Sequence, residues 1–288
     1  MSCPRSELKT WRRLFYATLV SIFALSLAPF CLAQNDSAPP PATQKPAAPR
    51  VKSQDSITVS ANLSPEESED FKINEVFQPI YSLEQSGDCQ TAIQRYTETI
   101  IPLAEKSKFD EPKNKYLYLA NLGIGRCNLR LGNFGDAEKY LEHAMDYLPV
   151  WPGLSDSDYP KVLSQIALAQ IGQQHWDAAE ASLKKSLALF DAQIEKATNS
   201  QSEYSRTEFA GVLKGSRAKA LIYLGAVYLR QNRREDALKS AELAYGDATA
   251  QGVPPNALAE VVKYGRLIAT ASGDQDAIAR WSKRTAGK

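Results

Sequence analysis

The stretch ALIYLGAVYLRQNRREDALKSAELA, residues 220–244, decides the fold. Gly225 and Ala237 stand twelve residues apart with the polar break QNRRE, residues 231–235, between them. Leu221, Leu224 and Tyr228 recur at spacings of three and four before the break, and Ala237, Ala241 and Ala244 do so after it. Each set fills one face of a helix. The spacing predicts two antiparallel helices joined by a tight turn, with Gly225 and Ala237 where the helices cross closely and a large side chain would hold them apart.

The same grammar runs through the chain. Gly125, Ala137, Leu141 and Ala144 repeat the spacing of twelve, four and three, and Gly265, Ala277 and Trp281 repeat most of it. Ala167, Ala179 and Leu183 form another copy, and Ile80, Ala92 and Tyr96 a degenerate first one. No alternating strand pattern follows residue 65. The expectation is an all-α solenoid of about five antiparallel helix pairs, each too small to bury its apolar face without its neighbours.

YLGAVY…DALKSAELA and GIGRCN…DAEKYLEHA resemble the tetratricopeptide repeat, with a small residue on the first helix, an aromatic three residues on in the better copy, and Ala on the second helix twelve residues after the small residue. The resemblance implies a superhelix whose inner groove, lined by the first helix of each pair, holds an extended peptide or a partner helix. One departure is the period. The alanines at 92, 137, 179, 237 and 277 fall 45, 42, 58 and 40 residues apart, against about 34 in the family. Longer helices or looser connections are expected, with a hinge or loop near residues 198–203 inside the polar run KATNSQSEYSR.

Towards the N-terminus, MSCPRSELKTWRR carries Arg5, Lys9, Arg12 and Arg13 and is followed by an uncharged run from Leu14 to Ala33. A basic start, an apolar stretch and a small residue at its end are the parts of a signal peptide, so residues 1–33 are expected to direct export to the periplasm or cell envelope. Pro29 favours cleavage over an uncleaved anchor; secretion and N-terminal anchoring are the alternatives. Phe30 takes the place of the small residue that precedes a lipid-modified cysteine. Residues 34–63, rich in Pro, Ala and Ser, read as a flexible linker in which SITVSANL is coil. The repeat domain spans 64–288 and opens with a capping box, Ser64 and Glu67 around Pro65.

At 288 residues, 43% hydrophobic and 23% charged, the chain has the composition of a globular protein. Removing residues 1–33 takes four basic residues and one acid from totals of 34 and 33, leaving 30 basic against 32 acidic. A slightly negative chain does not attract phosphate backbones, which argues against nucleic acid. Two of the four cysteines, Cys3 and Cys31, lie in the signal. Cys89 lies at the start of a second helix and Cys127 towards the end of the next first helix. Antiparallel neighbours bring a start beside an end, so the two could close a disulfide in an exported chain, the alternative being two buried free thiols.

Nothing in the sequence assembles a catalytic site. The only histidines, His143 and His175, sit in or near second helices, and no metalloprotease, nucleophile-elbow, dithiol or phosphate-loop motif is present. GIGRCN, residues 123–128, lacks the third glycine of a dinucleotide loop. LSDSDY, residues 154–159, lacks the Gly and distal Glu of a calcium loop and reads as a helix-capping turn. Tyr81, Tyr116, Tyr118 and Trp176 recur at helical spacing, as core-filling aromatics do. No enzyme activity, cofactor or metal is expected.

Positions one and five after the small residue of each first helix are expected to face the groove: Tyr81 and Gln85, Arg126 and Arg130, Leu168 and Gly172, Ala226 and Arg230, Arg266 and Thr270. Four are arginine, which suits an acidic partner, since guanidinium pairs with carboxylate through two parallel bonds. The bland reading is that these arginines solvate an exposed helix face. Some tetratricopeptide proteins clamp a terminal carboxylate with Lys and Asn, but those Asn residues have no counterpart here. The reading is an exported, non-enzymatic interaction scaffold; the alternative is a permanently packed accessory subunit of an envelope secretion or assembly machine, favoured if the surface carries a large apolar patch.

Overall fold

The computed structural model describes residues 63–148 and 158–285. The readings made for residues 1–62, the signal and nearly all of the linker, and for Asp156 of the acidic turn lie outside the described residues. Every regular element described is helical. The first pair is α1 (Pro65–Ser86) and α2 (Cys89–Arg95), which continues through a π-helical turn (Tyr96–Ile100) into α3 (Ile101–Glu105). The second is α4 (Asp110–Leu131) with α5 (Phe134–Tyr147), and the third α6 (Asp158–Gly172) with α7 (Trp176–Thr198). A π-helical turn (Ser205–Phe209) leads into α8 (Ala210–Arg230), paired with α9 (Arg234–Ala248); α10 (Pro255–Ser272) and α11 (Gln275–Lys283) complete the chain.

The chain enters α1 through a capping box, with Glu67 N donating to Ser64 Oγ at 3.2 Å and Ser64 N donating to Glu67 Oε2 at 2.8 Å. Each pair then turns on a left-handed residue: Gly87, Gly132, Gln174, Asn232 and Gly273, with φ of 89°, 78°, 63°, 63° and 76°. In the first four turns the following amide reaches back to a carbonyl five residues earlier, Asp88 to Leu83, Asn133 to Asn128, His175 to Gln170 and Arg233 to Tyr228, at 2.8–3.0 Å. This Schellman closure satisfies carbonyls that the helix end would leave unpaired. Its recurrence through four dissimilar sequences sets the common register of the pairs.

Successive first helices touch, α1 with α4, α4 with α6, α6 with α8 and α8 with α10. Each second helix packs on the first helix of the next pair, α5 on α6, α7 on α8 and α9 on α10. The first helices therefore share one side of the stack and are enclosed on most of their circumference, as in α6, where Val162 to Gln170 are all buried. One apolar cluster runs from Tyr118 to Trp281 and a second fills the first pair, from Ile73 to Cys127; α4 contributes to both. The longest interval between alanines is filled by α7, 23 residues long, and by the π-helical turn before α8. Between them residues 199–202 form a loop, which Arg206 pins through hydrogen bonds of 2.8 Å to the carbonyls of Ser200 and Gln201.

Candidate interaction site

The small residues sit where helices come closest. Ala92, Ala137, Ala179, Ala237 and Ala277 are fully buried. A Cβ on Gly125 would lie 2.6 Å from Leu141 Cγ of its partner helix, and one on Gly265 would lie 2.0 Å from the Trp281 ring. At Gly225 it would meet Ile268 Cδ1 at 2.9 Å and the carbonyl oxygen of Ala237 at 3.2 Å. Gly225 thus makes room for the pairing with α9 and for the next first helix, α10. Gly123, the other glycine of GIGRCN, gives space to Tyr96 and Glu84, whose ring and carboxylate a Cβ would meet at 2.6 and 2.9 Å.

Glu84 is the residue that sequence reasoning missed. It is fully buried near the end of α1. Arg126 meets its Oε1 through both Nε and Nη2 at 2.7 Å, and Tyr96 Oη donates to its Oε2 at 3.0 Å. Arg130 Nη1 donates to the Glu84 backbone carbonyl. Burial, then the Glu84 charge, push the Tyr96 phenol well above its ordinary range, so Tyr96 is a neutral donor. Burial pulls the Arg126 guanidinium down, but Glu84 outweighs it and holds the arginine charged. A signal was present. Ile73, Phe77, Ile80 and Glu84 follow at spacings of four, three and four, so a carboxylate falls on a core stripe and requires a buried cation.

The structure corrects the picture of a row of open guanidinium groups along the first helices. Arg126 and Arg130 tie α4 to α1 through Glu84. Arg230 lies over the Trp176 ring at 5.3 Å, joining α8 to the start of α7. Arg266 donates to the carbonyls of Trp281 at 3.1 Å, Ser282 at 3.3 Å and Arg284, collecting acceptors around the end of α11. Tyr81 stacks on Phe77 with ring centroids 5.9 Å apart. Leu168 is buried and Gly172 lies against the Phe134 ring. At Arg130, Gly172 and Arg230 position five after the small residue faces the preceding pair, whereas Thr270 is exposed and donates to the Arg266 carbonyl of its own helix.

Other charges on the first helices are also held between helices. Lys115 pairs with Asp70 at 2.7 Å, linking α4 to α1, and Lys219 pairs with Glu260 at 3.3 Å, linking α8 to α10. On α8 Val212 is exposed and Lys214, Ser216, Arg217, Lys219, Ala226, Leu229 and Arg230 are half-buried; Val212, Ser216, Lys219, Ala226 and Arg230 share one helical face as a partly accessible stripe, interrupted by the buried Tyr223. His143 is exposed beside Tyr140, and His175 precedes α7 as its capping residue. Cys89 and Cys127 are buried free thiols brought side by side. Among the described residues no group of three or more His, Cys, Asp or Glu side chains is placed to hold a metal, and no helix is long and apolar enough to cross a membrane.

Two solved structures share this architecture. Both are of TPR-like repeats, nearly identical to one another, from a Podosopora anserina protein described as a kinesin light chain, and one is a point variant. They superpose with TM-scores of 0.52 and 0.51 at 14% identity, covering 75% and 74% of this chain and 93% of each of theirs. No protein-family model and no curated protein matches the sequence. At this identity the likeness fixes the fold, a tetratricopeptide-like stack of helix pairs.

Proposed function

We propose that the chain is an exported, non-enzymatic scaffold that holds a peptide or a helix of a protein partner against its first helices. The observation that carries this reading is the stack itself: five pairs, four of them closed by the same turn, present their first helices on one side, and a TPR-like fold of this kind supports protein–protein interaction. Because the arginines expected to attract carboxylates are engaged within the protein, partner choice falls to the partly accessible stripe of α8, where Val212 and Ala226 are apolar. Export rests on the sequence of residues 1–33 alone.

A permanently docked accessory subunit would need a broad apolar surface. Among the described residues the large exposed apolar side chains are spread thinly: Leu131, Tyr204, Val212 and Leu243 stand on separate stretches of the chain, and only the start of the fold carries three, Leu63 just before α1 and Phe71 and Val76 on it. Affinity capture from intact cell envelope tests the proposal. Ala226→Arg is expected to reduce capture at least tenfold while leaving the melting temperature unchanged. Undiminished capture by the folded variant contradicts the groove, and recovery of the chain in the cytosol with residues 1–33 attached contradicts export.

A further inference from the structure

Cys89 and Cys127 are the one pair of thiols that the stack brings together among the described residues. Cys89 is the first residue of α2, two residues after the left-handed turn at Gly87. Cys127 lies on α4 between Arg126 and the buried Asn128. Both are buried, Cys89 at 2% exposure and Cys127 at none. Their thiols are hydrogen-bonded to each other, and the Arg130 guanidinium also reaches Cys89. The pair spans the packing of α2 on α4, where the first helix pair, with its own apolar cluster, meets the second.

We propose that Cys89 and Cys127 are oxidised to a disulfide that staples the first helix pair to the second, with Cys89 as the attacking thiol and Cys127 as the resolving thiol. The oxidant is a disulfide, of a small molecule or of an exchange protein. The Cys89 thiolate attacks one oxidant sulfur, the oxidant's S–S bond breaks, and the first thiol leaves with a proton. The Cys127 sulfur then attacks Cys89 within the mixed disulfide, and the second thiol leaves with the Cys127 proton. Two cysteines are oxidised and one disulfide is reduced to two thiols.

The order of attack follows from the surroundings. The hydrogen bond from Cys127 brings the Cys89 thiol down to about 7; burial opposes this and Arg130 adds to it. The same hydrogen bond, with burial, pushes Cys127 up. Cys89 is the member of the pair held closer to its ionised form, and it stands beside the turn as the first residue of α2, where fraying of the helix start gives a small disulfide access.

The test uses the full-length chain, equilibrated with oxidised glutathione, quenched in acid, alkylated and mapped by peptide mass. The expected result is a linked Cys89–Cys127 peptide in most molecules, with reduction lowering the melting temperature by about 5–10 °C. Both cysteines alkylated, or Cys89 joined instead to Cys3, Cys31 or a second chain, would overturn the bridge. Cys127→Ser is expected to retain glutathione on Cys89, whereas Cys89→Ser leaves Cys127 unmodified. The reverse pattern refutes the order of attack, and the wild-type map decides the bridge even if neither variant folds.

Discussion

Glu84 shows how one side chain can join two repeats. Its carboxylate is fully buried, yet Arg126 and Tyr96 occupy its oxygens and Gly123 leaves the space they need. Truncating one partner leaves an uncompensated charge in the core, so Glu84→Ala is expected to destabilise the protein by about 3–5 kcal/mol, read from the midpoint of urea unfolding; an unmoved midpoint would show that the ion pair contributes nothing. Glycines separate in the same way. Gly225→Leu forces side-chain atoms towards Ile268 and the Ala237 carbonyl and should cost about 2–3 kcal/mol. Gly246, on α9, has open space where a Cβ would go, so Gly246→Ala is expected to stabilise the helix by up to about 1 kcal/mol. Equal melting temperatures for the two variants would refute the assigned crossing.

At the scale of the element, the turns define the repeat more sharply than the helices do. Gln174 and Asn232 hold a left-handed conformation that glycine adopts at lower cost. Gln174→Gly is expected to raise stability by about 1 kcal/mol and Gln174→Val to lower it, measured by thermal unfolding. An ion pair also joins the third and fourth pairs: Glu180 on α7 meets Arg233, at the start of α9, at 2.9 Å, and Lys184 one turn along α7 meets the same carboxylate at 2.7 Å. Burial would raise the Glu180 carboxyl, but hydrogen bonds from Lys184, Arg233 and Gln231 hold it down at about 2. A lowered carboxyl stabilises the fold above its unfolded value of about 4.3, and the contribution disappears as pH falls towards 2. The melting temperature of Glu180→Gln should therefore lie below that of the parent above pH 5 and converge with it in acid. A gap independent of pH contradicts this ion pair.

For the molecule as a whole, the twelve-residue spacing carried most of the fold. Gly or Ala followed by Ala twelve residues on marks a helix crossing because few other side chains fit there; the close approaches at Gly125, Gly225 and Gly265 fall where that spacing puts them, and Ile80 and Ala167 are buried at the equivalent positions. The left-handed turns were less legible, since Gln174 carries none of glycine's signal. The partners of the arginines were not legible for a geometric reason: counting along one helix gives an azimuth but not the neighbour standing there, and for Arg126 that neighbour is Glu84 of the preceding first helix. Site-specific photocrosslinking in intact envelope tests the scaffold most directly, with the reactive group placed in turn at Ala226, on the partly accessible stripe of α8, and at Lys239, exposed on α9. Partner adducts from position 226 and none from 239 are the predicted result; adducts from 239 alone would put the partner on the opposite side of the stack and contradict the account.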